Sequence, residues 1–260
     1  MNTPCELILY APANVAQQVA QEIFSQTKKL EKRYNFFDPN SWLFAVNARK
    51  VQTVDEESYQ ILEQAKRFYE KTGGIFDVST GALKECLQYK SLAQIEECIA
   101  KRKSFCGWEH IQLQKRKITF DNPYTKIDLG GFVKEYAVDS AKRVLKRHKV
   151  NGIINFGGDI FAVGTKPDGS AFRIGIKNPK DPSKFAIFVE LQDMAIATSG
   201  NYERFVEKEG CKISHIVGAK EKVASVSVVA PTCLESGVYA TALHIKSCLE
   251  QPYKTIFIYN

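Results

Sequence analysis

Residues 126–140 read KIDLGGFVKEYAVDS. An apolar strand signal ends in Asp128, Gly130 and Gly131 follow, and a helical pattern begins at once with Lys134 inside its first turn. Paired glycines let backbone approach a ligand closely. A helix start turns free N–H groups and partial positive charge toward an anion. Asp128 could accept hydrogen bonds from a base, ribose or flavin edge, and Lys134 could reach a phosphate. The alternative is a tight turn with a capping acid. The spacing is not GxGxxG, so it makes no Rossmann claim.

Three more glycine corners follow. NFGGDIFAVG (155–164) places Gly157–Gly158 after a buried strand, as a site or a bulge would. TSGNYERF (198–205) and SHIVGAKEK (214–222) repeat the strand-then-glycine arrangement. The last puts His215 at a strand end, to be read as a structural histidine or as a ligand-facing one.

The elements that must position these corners follow from periodicity. CELILYA is a first strand, and Val15, Val19, Ile23, Phe24 and Leu30 mark a helix over 15–33 with Asn14 as its N-cap. YNFFDPNSWLFAVNA reads as an aromatic loop with a turn at DPN. A helix over 56–72 stops at Gly73–Gly74, and SLAQ (91–94) opens another with a capping box. HIQLQ and KITF form a hairpin, and KIDL is a strand into the first corner. A helix from Phe132 ends in Lys146, Arg147, His148 and Lys149, with Asn151–Gly152 as its stop. GIINF, FRIGIK, FAIFVEL, MAIATSG, KISHIV, VASVSVVAP and the closing TIFIY are strands, and 235–245 is a helix. Strands mostly follow strands. That pattern implies an α+β fold with mainly antiparallel sheets and packed helices. One domain spanning 1–260, or two closely packed lobes, suits the length.

Composition narrows the partners. The 260 residues are 44% hydrophobic and 25% charged, with a formal net charge of +7. Basic clusters at 28–33, 101–103 and 142–149 lack interleaved aromatics, so they read as solvated helix surface rather than a nucleic-acid face. No apolar run approaches the roughly 20 residues of a membrane helix. The start shows neither a basic n-region nor a long apolar segment, so a cytoplasmic location is expected. Seven cysteines, an odd number without CxxC spacing, argue against a zinc site or a disulfide framework. A reducing compartment and mostly buried, inert cysteines are expected.

Taken in order, FFDPNSWLFAVN, GGIFDVSTGAL, IDLGGFVKEYAVD, NFGGDIFAVG, TSGNYERF, SHIV and APTCLESGVYATAL resemble the ApbE-type FAD:protein FMN transferases along almost the whole chain. The resemblance implies a T-fold-like α+β architecture, FAD as substrate and Mg²⁺ as metal. It also implies FMN transfer to a threonine of a flavoprotein acceptor, with release of AMP. Carried over position by position, FAD contacts fall on Met1, Ile75, Phe76, Asp77, Asp128, Lys134 and Val217. Phe37 stands where such proteins often have a tyrosine beside the flavin, and His215 matches the histidine beside the phosphates, a candidate base. The metal would lie near the backbone of Gly131 and on Thr241.

Further departures from this pattern lie in the loop after His215, which reads Gly218–Ala219 and then Lys220, Glu221 and Lys222 where the family has an Asp-Pro turn, and at the metal site. Gly237 stands where the resemblance calls for a metal-binding aspartate, and Glu235, two residues away on a helix, would face elsewhere. Three readings follow. In the first, the transferase is active on a rebuilt site, with Lys134, Lys220 or Lys222 replacing part of the metal charge. In the second, the chain binds FAD but is catalytically impaired. In the third, it is an interaction protein of the same fold.

Overall fold

A computed structural model describes residues 3–200, 205–208, 211–214 and 223–259. In chain order these form β1 (Cys5–Tyr10), α1 (Ala13–Tyr34), α2 (Trp42–Asn47), α3 (Glu56–Lys71), α4 (Gly81–Cys86) and α5 (Leu92–Arg102). Next come β2 (Ile111–Gln114), β3 (Lys117–Phe120), α6 (Val133–Arg147), β4 (Asn151–Phe156), β5 (Asp159–Val163), β6 (Phe172–Asn178) and β7 (Asp181–Leu191). The chain continues through β8 (Met194–Gly200), β9 (Phe205–Lys208), β10 (Cys211–Ser214), β11 (Val223–Ala230), α7 (Cys233–Ile245) and β12 (Lys254–Tyr259). Two compact units emerge. The first takes Met1–Glu31, Lys134–Tyr202 and Lys220–Asn260, and the second takes Lys32–Val133 and Glu203–Ala219.

The first unit is built on a six-stranded sheet in the order β1-β4-β5-β8-β11-β12. Every neighbouring pair is antiparallel. Side chains alternate between its two faces. On one face Ile160, Ala162, Ile196 and Val229 pack against Phe172, Ile174, Ile176, Val189 and Leu191 of the β6–β7 hairpin. The other face carries Phe161, Ala195, Ala197, Val226 and Val228, all buried. There α7 packs on β5, β8 and β11. That helix is buried nearly all round, from Cys233 to His244, which explains its apolar composition. Gly157 and Gly158, at φ of 60° and 92°, form the two-residue turn joining β4 to β5. Positive φ at both central residues matches the twist of a tight hairpin, so this corner is a turn rather than a bulge.

The second unit gathers α2, α3, α4, α5 and the β2–β3 hairpin. Asp55 caps α3 and Gly73–Gly74 end it at positive φ. Ser91 and Gln94 form the expected capping box of α5. Three expectations are corrected. The aromatic loop contains a helix, α2, which Ser41 caps by accepting from Phe44 N–H. Asn14 lies within α1, which starts at Ala13, so it is not the N-cap. KIDL is no strand. It is an extended segment held by Asn47, whose side chain both donates to and accepts from the Ile127 backbone at 2.8 Å. A bridge from Lys126 to Thr80 and the Asp128 N–H donated to Val78 O at 2.7 Å add to its support.

The cysteines also depart from expectation. Cys86 on α4 and Cys98 on α5 are joined in a disulfide across a sequence separation of 12. Cys5 and Cys248 are exposed, and among the described free thiols only Cys233 is buried. The cysteines therefore give no support to a reducing compartment. Sequence spacing could not show the pair, because two short helices bring it together. Among the described residues no helix is long and apolar enough to cross a membrane.

Candidate functional site

In the second unit, the first glycine corner has a defined chemistry. Asp128 accepts the Gly130 N–H at 3.0 Å through one oxygen and the Lys84 ammonium at 2.7 Å through the other. The acid therefore does cap its own turn, and it also holds a cation. Lys84 Nζ sits 4.9 Å from the Phe37 ring centre and 5.3 Å from that of Phe36. Phe37 is 59% exposed, so its ring is open for stacking. Gly131 is exposed, and a side chain there would meet nothing within 4 Å.

The segment 75–81 runs alongside this corner. Asp77 accepts from the backbone N–H and the hydroxyl of Ser79, both at 2.7 Å. Burial pushes its carboxyl above the ordinary range, against those hydrogen bonds. Phe76 is buried against Phe132, with ring centres 5.9 Å apart, so only its backbone can serve a ligand. Ile75 is half-buried. The structure thus brings Phe37, Asp77 and Asp128 into one unit, with Lys84 as a member that the sequence did not single out.

In the first unit, α6, β5 and α7 build a buried acidic centre. Lys134 forms an ion pair with Asp159 at the start of β5. It is therefore already engaged, rather than waiting for an anion. The neighbouring Glu135 is buried; its Oε2 meets no N–H or hydroxyl donor among the described residues, and its carboxyl shares a hydrogen bond with that of Asp159. Burial raises its carboxyl well above the usual range. The nearby Asp159 charge adds to the shift and Lys134 opposes it. Asp139, one helical turn on, accepts the N–H groups of Cys233 and Leu234 at 2.9 and 3.0 Å, anchoring the start of α7.

Gly237 faces Glu135. A Cβ at 237 would stand 2.6 Å from Glu135 Cγ and 3.0 Å from its Oε1. Thr241, four residues on and so on the same helix face, shares a hydrogen bond with Ser199 of β8 at 3.0 Å. Glu235 is turned to Thr232 and to the Tyr253 hydroxyl, both at 2.7 Å, and so faces elsewhere as expected. Among the described residues no group of three or more His, Cys, Asp or Glu side chains is placed to hold a metal. A metal here would draw its remaining ligands from water and phosphate oxygens, as Mg²⁺ commonly does. The Glu135 carboxyl, which packs over Gly237, and the Thr241 hydroxyl fit such an ion.

Glu135 and Asp159 were missed in the sequence. The available signal was Glu135 and Asp139 four residues apart, a like-charge pair that is unfavourable on an exposed helix face. Met1, His215, Val217, Lys220 and Lys222 lie outside the described residues.

Residues 1–251 match the model of the ApbE family. The chain is 30% identical to an FAD:protein FMN transferase of Chlamydia pneumoniae, over 86% of this chain and 75% of that one. It is 27% identical to an FAD:protein FMN transferase of Treponema pallidum, over 95% of this chain and 78% of that one. The crystal structure of the ApbE protein from Thermotoga maritima superposes with a TM-score of 0.90 at 23% identity, covering 99% of this chain and 91% of that one. The flavin transferase ApbE from Vibrio cholerae gives 0.81 at 24% identity, covering 94% and 84%. The fold is thus that of the ApbE structures, and the chain belongs to the ApbE family.

Proposed function

We propose that this protein binds FAD and transfers its FMN portion to a threonine hydroxyl of a flavoprotein acceptor. The acceptor oxygen bonds to the FMN phosphorus, the bond to the AMP oxygen breaks, and AMP leaves. The hydroxyl proton passes to a base, the role we give His215. The observation that carries this reading is the exposed corner of Phe37, Lys84, Asp128 and Gly130, which offers a stacking ring, a cation and an acceptor at one turn. The likeness to named FMN transferases supports it. Phe37 would stack on the isoalloxazine but cannot donate a hydrogen bond. Asp128 would accept from the flavin or adenine edge, and Ile75, Phe76 and Asp77 would contribute mainly backbone and polar contacts. Met1 and Val217 keep the FAD contacts that the family resemblance implies.

Mg²⁺ belongs to this proposal. When bound, it neutralises charge that develops on the phosphates. Glu135 and Thr241, both in the first unit, are the residues that fit it. Lys134 holds Asp159 beside Glu135 and keeps that carboxyl pair from carrying uncompensated charge.

Asp128→Asn tests the dinucleotide site. The amide retains an oxygen for the Gly130 N–H but loses the charge. A hydrogen bond to a charged group is worth about 1.5–3 kcal/mol, so FAD affinity should fall about ten- to a hundredfold. Flavin fluorescence quenching measures this. Unchanged affinity in a variant that melts like the wild type would remove Asp128 from the site.

A further inference from the structure

The buried Glu135 carboxyl on α6 lies against a second acid, Asp159. We propose that Glu135 supplies the divalent-metal carboxylate that position 237 lacks, the acid having moved from α7 to α6 with Gly237 as the space it occupies. This rests on the proposed function of the same site.

Three observations carry it. First, nothing in the backbone calls for glycine at 237. Its φ is not in the left-handed region, and glycine inside a helix costs about 0.8–1.0 kcal/mol against alanine. What calls for it is Glu135, whose Cγ would lie 2.6 Å from any Cβ there. Second, Glu135 is buried, its Oε2 meets no N–H or hydroxyl donor among the described residues, and its carboxyl shares a hydrogen bond with another acid, Asp159. A buried carboxyl without such a donor is unfavourable unless something binds it, and a hard cation is the ligand that such an oxygen suits. Third, Thr241 offers its hydroxyl on the same face of α7, one turn beyond the glycine. The Lys134–Asp159 ion pair adjoins the carboxyl.

Mn²⁺ is the probe, titrated by calorimetry into the whole chain with and without FAD. Glu135→Gln should weaken Mn²⁺ binding by about tenfold or more, corresponding to about 1.4 kcal/mol. The amide matches the acid in shape, and burial no longer opposes a charge, so its melting temperature should hold or rise. The transposed double variant Glu135→Ala with Gly237→Asp should recover most of the binding, whereas Glu135→Ala alone should not. Equal Mn²⁺ affinity of wild type and Glu135→Gln, including no binding by either, overturns the proposal. So does a double variant no better than Glu135→Ala. FAD binding in EDTA, read by fluorescence, reports the dinucleotide reading separately: its failure would sink that reading and leave the metal comparison to stand or fall on the titrations without FAD.

Discussion

Replacing Lys134 by methionine is expected to destabilise the protein by about 3–5 kcal/mol near neutral pH, the usual consequence of removing one partner of a buried ion pair. Lys134 is 15% exposed at its side chain and Asp159 is 4% exposed, so water can do little to replace the lost ammonium. Asp159 would then face Glu135 with no cation to offset the two acids. For a protein of this length the melting temperature should drop by about 2–4 °C per kcal/mol. The pH dependence has a definite sign. Glu135 is held above its ordinary value by burial and by Asp159, so the native state binds its proton more tightly than the unfolded chain does. Stability from such a group is full below the unfolded value and is lost as pH rises through the folded one. Without Lys134 that loss deepens, so the variant should approach wild type in mild acid and diverge toward alkaline pH. Melting both proteins across that range settles it. A uniform deficit at all pH values, or none, would show that the ion pair does not restrain the acids.

Gly237→Asp should destabilise rather than repair the site. Its Cβ would enter the volume of Glu135, and overpacking of this kind costs about 1–3 kcal/mol. The new carboxylate would also be a second acid beside a buried one. Removing Glu135 frees the space, so Glu135→Ala and Gly237→Asp should compensate each other. Coupling energies between contacting residues run about 0.5–3 kcal/mol, and this pair should fall at the upper end. Chemical denaturation of the two single variants and the double measures it. Strict additivity would mean that the two positions do not compete for one volume. From sequence alone Gly237 reads only as the loss of an acid that the family resemblance calls for. The structure changes that expectation because it shows what occupies the vacancy.

This difference illustrates what was legible. Long amphipathic helices and alternating strands announce themselves, so α3, α5 and the sheet strands β1, β4, β8, β11 and β12 were readable, as was the Ser91–Gln94 capping box. Short elements were not. The six residues of α2 are too few for a period among aromatics, and the 126–129 segment copies a strand because Asn47 holds it extended from 80 positions away. The corner at 128–131 was visible from its glycines, yet Lys84 was not, since only folding brings α4 beside Asp128. Glu135 was hidden for a further reason. A glutamate in a helix reads as surface unless its burial is known, and Gly237 read as a loss unless its neighbour was known. Cys86 and Cys98 failed on the same ground.

As proposed, the chain is a metal-assisted FMN transferase whose metal carboxylate lies on α6. The most direct measurement is the intact mass of a threonine-bearing flavoprotein acceptor domain after incubation with this protein, FAD and Mg²⁺. The expected result is an added FMN mass on the threonine with stoichiometric AMP, abolished by EDTA and by Glu135→Gln. An acceptor whose mass does not change would contradict the transferase reading. FMN transfer that persists in EDTA and in Glu135→Gln would contradict the metal and its carboxylate.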